Sequence, residues 1–316
     1  MAWETLDDFM RSPVEARKSK VGRQRKIKSV VDRTPEVMVK ISGNAKGGGH
    51  VGSHLLYISR NGKLEIETEQ GEIINSKDAL KEKIKEWQQD LGKRKKNTRD
   101  TVNIVLSMPA GTDPIGLTNA ARKFAKNRFA ENHQYVFALH TDVDHPHVHL
   151  TVKSLGFDGT RLHVKRGDPQ IWREEFAEQL RAQGIDAEAT PRKVRGVVKK
   201  PTSQPIFHLR KRGQAQTDKE KIKEIVAEFK DGKRELKPWE TQIQATQKKV
   251  RTAWLKEAQE LQAEGDTAMA KKVVDFVNSM PPIDTERQTM AMRLAKILEA
   301  ENARTVSPEK GRGEER

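Results

Sequence analysis

From Val37 onward, short apolar runs alternate with glycine- and proline-bearing turns and with longer amphipathic stretches, a texture that predicts mixed strands and helices without an internal repeat. VMVKIS has the apolar density of a strand, and GNAKGGGHVGS after it reads as a glycine-rich turn. A helix follows across GHVGSHLLYISRN. Val51, Leu55 and Ile58 recur there at i, i+4, i+7, while His50, His54 and Tyr57 share that spacing on the neighbouring stripe. Asn61-Gly62 stops this helix, and KLEIET and GEIIN flank Glu69-Gln70 as the arms of a hairpin. KDALKEKIKEWQQDL then places Leu80, Ile84, Trp87 and Leu91 at helical spacing.

In TVNIVLSMP, period two puts Val102, Ile104, Leu106 and Met108 on one face, as a half-buried strand requires. A helix is expected from near Pro114 to Glu131, then two adjacent antiparallel strands, QYVFALH and HVHLTVKS, joined by a tight turn. A further strand is expected over Phe157 to Val164, and a helix over DPQIWREEFAEQLRAQG with Asp168 as N-cap, Pro169 at N1 and Gly184 as stop. The order suggests a two-layer α+β domain with an antiparallel sheet. Beyond Asp186 the chain turns basic and proline-bearing, then helical. Val250, Trp254, Leu255, Ala258 and Leu261 form one stripe in that region, and Met290, Leu294, Ile297 and Leu298 another. The expected divisions are a basic N-terminal arm at 1–36, a catalytic domain at 37–200, a helical extension at 201–304 and a disordered tail at 305–316.

Composition narrows the chemistry. The 316 residues contain no cysteine, which excludes a disulfide scaffold, an iron–sulfur protein, a thiolate zinc finger and a cysteine nucleophile. MAWETLDDFM carries acids where a signal peptide needs bases, and no apolar run is long enough to cross a bilayer, so a soluble cytoplasmic protein without membrane insertion is expected. The net charge of +15 favours a polyanionic partner, nucleic acid first. Charge is clustered: RKSKVGRQRKIK at 17–28 has seven bases and no acid and reads as a mobile arm, with further basic stretches at 93–99 and 192–200 suited to backbone phosphates.

Five of the nine histidines lie in or near HTDVDHPHVHL at 140–150. On a strand, His147 and His149 project together while Val148, Leu150 and Val152 point to the other face. His140 ends the preceding strand on the face of Val136 and Ala138, so a short turn brings it opposite the pair. Three partly buried imidazoles gain little from packing and are explained by a cation, with Asp142 and His145 placed to support the shell. Ligand softness favours Zn, Mn, Fe or Ni over Mg, and three protein ligands leave positions open for a substrate oxygen. Of the two tyrosines, Tyr135 has the parity of a core residue. Tyr57 is left as the candidate nucleophile, just before Arg60, and a nearby cation would stabilise its phenolate. A role for His50 or His54 as general base is a further expectation.

LLYISRNGKLEIE, a strand ending in SMPAGTD, and HTDVDHPHVHLTV, in that order on a basic chain, resemble the conjugative relaxases, the strand-nicking enzymes of plasmid mobilisation, nearest the branch that includes the T-DNA border endonucleases. The resemblance covers roughly Val37 to Val197 and implies an α+β fold with a central antiparallel sheet flanked by helices, the two-histidine strand at its centre. It implies Tyr57 as the nucleophile on a scissile phosphate at an origin of transfer, His140, His147 and His149 as ligands of a divalent ion (Mg or Mn in the family), and Ser107 beside the DNA at the nick. Arg60 and Lys63 would meet the same DNA. It also implies a phosphotyrosine link reversible by strand joining, accessory nicking proteins and a type IV secretion coupling protein as partners, and possible export with the strand. Two other readings compete: HPHVHLTV also fits the histidine-triad nucleotide hydrolases, and a non-catalytic, basic DNA-binding accessory protein would account for the charge.

Overall fold

The computed structural model describes residues 6–92, 95 and 97–306, except 11–19, 198–201 and 233–237. Two compact units result: Met10–Pro191, and Arg192–Arg316 together with Met1–Phe9. The elements in chain order are α1 (Leu6–Met10), α2 (Lys20–Val31), β1 (Met38–Gly43), α3 (Gly48–Ile58), β2 (Ile66–Thr68), β3 (Ile73–Ile74), α4 (Lys77–Gln89), β4 (Thr101–Ser107), α5 (Pro114–Phe129), β5 (Tyr135–His140), β6 (His147–Lys153) and α6 (Asp168–Ala182).

The six strands form one antiparallel sheet in the order β1-β4-β6-β5-β2-β3, with the two-histidine strand β6 near its centre. Period two sorts its residues. Val102, Ile104 and Leu106 of β4, Leu150 and Val152 of β6, and Tyr135 and Phe137 of β5 face Leu117, Phe124 and Phe129 of α5 and Trp172 and Phe176 of α6. On the opposite face Val136 and Ala138 of β5 and Ile66 of β2 pack against Val51, Leu55 and Ile58 of α3 and Leu80 and Trp87 of α4. Helices therefore cover both faces and the domain has three layers, not the two expected. The central strands must be buried on both sides, and the half of the second face formed by β4 and β6 stays polar, with Asn103, Ser107, His147, His149 and Thr151.

Phe124 meets Phe129 and Phe176 edge to face at ring-centroid distances of 6.0 Å each. Truncating it strips the α5–α6 layer of its central ring, so Phe124→Ala is expected to cost about 3–5 kcal/mol in a urea titration.

Several expectations are corrected. Within the segment anticipated as a mobile arm, residues 20–31 are helical; Ile27 and Val30 are buried and Arg25 donates to Glu188 at 3.1 Å. Residues 157–164 form a turn with one isolated bridge, Leu155 to Arg161, because Gly159 takes φ 80° and Asp158 accepts from Thr160 N at 2.8 Å, which folds the segment back on its own start. The cap of α6 is Gly167 rather than Asp168, whose carboxylate instead accepts from Lys165 N at 2.7 Å.

The second unit holds a 3-10 turn (Arg192–Arg195) and helices α7 (Gln204–Lys211), α8 (Gln216–Asp231), α9 (Pro238–Ala263), α10 (Thr267–Asn278) and α11 (Glu286–Val306). Val250, Trp254, Ala258 and Leu261 are buried as their spacing predicts, while Leu255 is exposed, as are Ile297 and Leu298 of the second stripe. Helix α11 runs two residues past the expected end of order at 304, and the rest of the tail lies outside the described residues, as do residues 17–19, 93, 94, 96 and 198–200 of the basic stretches. No described helix is long and apolar enough to cross a membrane.

Candidate active site

The helix that carries Tyr57 is fixed at both ends. At its start the glycine-rich turn has no side chain to cap it, and Gly47 sits at φ 91°. A remote carboxylate does that work: Gly47 N–H donates to Asp100 Oδ2 at 2.6 Å, and Ala45 N–H donates to Thr101 Oγ1 at 3.1 Å, tying the turn to the head of β4. At its end Ser59 is buried; its hydroxyl donates to the Leu55 carbonyl at 2.8 Å and accepts from Gly62 N at 3.2 Å. That closes a turn in which Arg60, Asn61 and Gly62 all have positive φ, at 50°, 59° and 79°. Two non-glycine residues in the left-handed region cost energy, and here the turn folds the Arg60 side chain back towards the helix it has just left.

Three imidazoles meet where β5 and β6 begin their turn. Ring centroids of His140, His147 and His149 lie 4.5 to 5.3 Å apart, and one nitrogen from each falls within 4.8 Å of the other two. The tautomers follow from neighbouring carbonyls. His140 Nε2–H donates to the Ile58 carbonyl at 2.7 Å, which leaves its Nδ1 with the lone pair, and His147 Nδ1–H donates to the His145 carbonyl at 3.3 Å, which leaves Nε2. A donor set of neutral imidazoles held this way fits a divalent transition ion, and His140, His147 and His149 would hold it. Among the described residues this is the one cluster of histidines and carboxylates that converges so.

Burial and the like-signed neighbours His140 and His147 push His149 down to about 3, and burial also lowers His140 and His54. The unfolded chain protonates its histidines near 6.5, so it takes up protons first as pH falls. The stability that His149 contributes is then complete above pH 6.5 and is lost progressively towards pH 3. In metal-free protein the unfolding free energy is expected to drop by about 2 kcal/mol between pH 7 and pH 5, read from urea titrations. Addition of a bound divalent ion should steepen that loss, because protons and metal compete for the same nitrogens.

Tyr57 is half-exposed, and its ring lies edge-on to His149 at 5.6 Å and tilted to His140 at 6.5 Å. Tyr135, by contrast, is buried in the core as its parity predicts, and its phenol is pushed up to about 12, mainly by desolvation. Arg60 lies over the Tyr57 ring at 5.8 Å, forms an ion pair with Asp142, and brings Nη2 to 3.4 Å from His140 Nδ1. Asp142 thus reaches the cluster mainly through Arg60, with Oδ1 3.9 Å from His140 Nδ1.

The other sequence-derived residues fall around this centre. His145 is exposed and serves His147 through its carbonyl, its ring standing 6.4 Å away. Ser107 pairs with His147 across the sheet, and its buried hydroxyl donates to the Pro146 carbonyl at 3.4 Å, so its contact here is with the histidine turn. Lys63 is exposed just past the turn. His54 stacks beside Tyr57 at 6.1 Å, whereas His50 is exposed. Residue spacing did not reveal the Asp100 clamp, which joins positions more than fifty apart, nor the Ile58 carbonyl, because a backbone acceptor leaves no mark on side-chain pattern.

A tyrosine thus stands beside three strand-borne histidines, on an antiparallel sheet with helices on both faces. Residues 57–185 match the family model described as relaxase, MobA/VirD2-like, nuclease domain. Similar curated proteins are the T-DNA border endonucleases VirD2 of Rhizobium radiobacter (30% identical, covering 57% of this chain and 48% of the relative), Agrobacterium fabrum strain C58 (28%, 57% and 45%) and Rhizobium rhizogenes (29%, 54% and 44%). The chain spans less than half the length of these relatives.

Proposed function

We propose that the unit Met10–Pro191 nicks one DNA strand at a defined position in an origin of transfer, with Tyr57 as the nucleophile. The observation that carries this reading is the placement of the Tyr57 ring within 5.6 Å of His149 and 6.5 Å of His140, at the mouth of the imidazole cluster. The phenolic oxygen forms a bond to phosphorus as the bond from phosphorus to O3′ breaks. One proton leaves the phenol and one joins the 3′ oxygen, and the 5′ end stays on the protein as a phosphotyrosine. Because one phosphoester replaces another, the freed 3′-hydroxyl can reverse the step and reseal the strand without ATP.

A divalent ion held by His140, His147 and His149 would act as a Lewis acid on the phosphate oxygen; Mg or Mn is the family expectation, and Zn or Ni suits the imidazole set. The residues of this chain do the rest. The Ile58 carbonyl fixes His140 and, being next to Tyr57, ties the position of the phenol to that of the ligand nitrogen. Arg60 supplies positive charge on the solvent side, where a phosphate arrives, with Lys63 beyond it. Basic surface elsewhere would hold the backbone non-specifically, and sequence choice would come from base contacts. Accessory nicking proteins and a type IV secretion coupling protein are the partners this function implies, with the helical unit as the surface for them, in a bacterial cytoplasm from which the protein could leave with the strand.

The test is incubation of the full chain with an end-labelled single-stranded oligonucleotide bearing the cognate nick sequence and Mn2+, followed by a denaturing gel. With the label at the 3′ end, a protein-linked labelled band is expected for the fragment downstream of the nick, joined through its 5′ phosphate. Free cleaved nucleotides without an adduct would point to a histidine-nucleophile hydrolase, and fully intact oligonucleotide with neither cleavage nor adduct to an accessory binder; either overturns the proposal.

A further inference from the structure

The position of Arg60 is unusual for a residue meant only to meet DNA. Its guanidinium is fixed from three sides: by the left-handed turn closed by Ser59, by the face of the Tyr57 ring at 5.8 Å, and by the Asp142 carboxylate. So held, Nη2 stands 3.4 Å from His140 Nδ1, the nitrogen that the Ile58 hydrogen bond leaves with its lone pair. That nitrogen is also the one His140 has to offer a metal ion. A fixed positive charge and an arriving cation therefore address the same atom, and their repulsion at this separation is large enough to matter even in partly solvated surroundings.

We propose that Arg60 gates the imidazole site by charge: its guanidinium opposes a divalent ion there until a DNA phosphate draws it away, so that metal and DNA bind with positive cooperativity. The side chain can make that move because it is about 40% exposed and its partner Asp142 is more exposed still, at 53%. A phosphate bearing on the mouth of the site offers the guanidinium fork an anionic acceptor that can take two of its N–H groups, so Arg60 exchanges one anion for another rather than losing its partner. Asp142 is then a positioning residue that stores the guanidinium, and it remains beside His140 when the guanidinium leaves. By linkage, whatever factor DNA adds to metal affinity, metal adds to DNA affinity. The inference rests on the nicking reading for the identity of the phosphate, but not for the repulsion itself.

Isothermal titration with Mn2+ tests it, using the full chain carrying Tyr57→Phe so that no covalent step intervenes and the ring under Arg60 is kept. Without DNA, Arg60→Gln is expected to bind Mn2+ about tenfold more tightly than the parent, while Arg60→Lys stays near the parent. Lys126→Gln, which removes one positive charge from the exposed side of α5, should leave the affinity unchanged. With a saturating single-stranded oligonucleotide of the origin, the parent should gain affinity and the Arg60→Gln protein should gain several-fold less. Unchanged or weaker Mn2+ binding by the DNA-free Arg60→Gln protein overturns the proposal, as does an equal DNA-induced gain in both. Failure of the nicking reading is separately visible: no adduct from wild-type protein, with the DNA-free difference still present, would remove the nuclease assignment and leave the charge gate standing. Melting curves for each variant, matched within a few degrees, show that the fold is common to all.

Discussion

Replacing Tyr57 with Phe is expected to abolish the covalent protein–DNA band while leaving DNA retention and thermal stability close to wild type. The phenol is half-exposed, so its oxygen makes no buried contact whose loss would unsettle α3, and the ring with its packing on Arg60 and His149 survives the substitution. What disappears is the one phenol among the described residues that stands at the mouth of the histidine cluster: Tyr135 is buried in the core, with its phenol held protonated at about 12. The rate of adduct formation should fall by at least about a thousandfold, since a nucleophile removed outright is not replaced by a neighbour. The measurement is the labelled-oligonucleotide gel, run to long times with both proteins. A residual adduct at a tenth of the wild-type rate would mean that another residue attacks, and the assignment of α3 as the nucleophile helix would be wrong.

The second large effect is expected at His149. It is the more buried of the two imidazoles on β6, flanked by the other two at 4.5 and 5.1 Å, and burial together with those neighbours already holds it neutral. His149→Ala should reduce Mn2+ affinity on the order of a hundredfold and adduct formation in parallel, read by titration calorimetry and by the gel. High metal should restore part of the activity if the two remaining imidazoles still hold an ion. His145→Ala makes the informative contrast, because His145 serves the cluster through its backbone carbonyl, which alanine retains. An equal loss from both substitutions would place the donors differently from the three nitrogens described above.

Much of this site was legible in the order of residues. Period-two alternation on β5 and β6 assigned Tyr135 to the core and His147 and His149 to a common face, and helical spacing put Tyr57 next to the buried stripe of Val51, Leu55 and Ile58. These readings rest on local geometry, which the backbone imposes within a few residues. Expectations that failed were those in which a local signal met a distant one. The basic stretch around Arg25 looked too polar to pack, yet Ile27 and Val30 are buried and Arg25 finds Glu188, over 160 residues away. Residues 157–164 have strand texture, but the turn at Asp158-Gly159 prevailed and folded them back on Ser154–Gly156, leaving one isolated bridge.

By itself, then, the sequence determined the antiparallel strands, the helix bearing Tyr57, the shared face of three histidines and the absence of thiol chemistry, because each follows from residue type at short spacing. Only the tertiary structure decided that helices cover both faces of the sheet and that Asp100 clamps the glycine-rich turn. It also decided that the Ile58 carbonyl selects the His140 tautomer, and that Arg60 curls back onto the nitrogen a metal would use. Those four depend on groups brought together from far apart in the chain, several of them backbone atoms, and the free energy of such contacts is set by where the chain closes rather than by which residues stand next to one another.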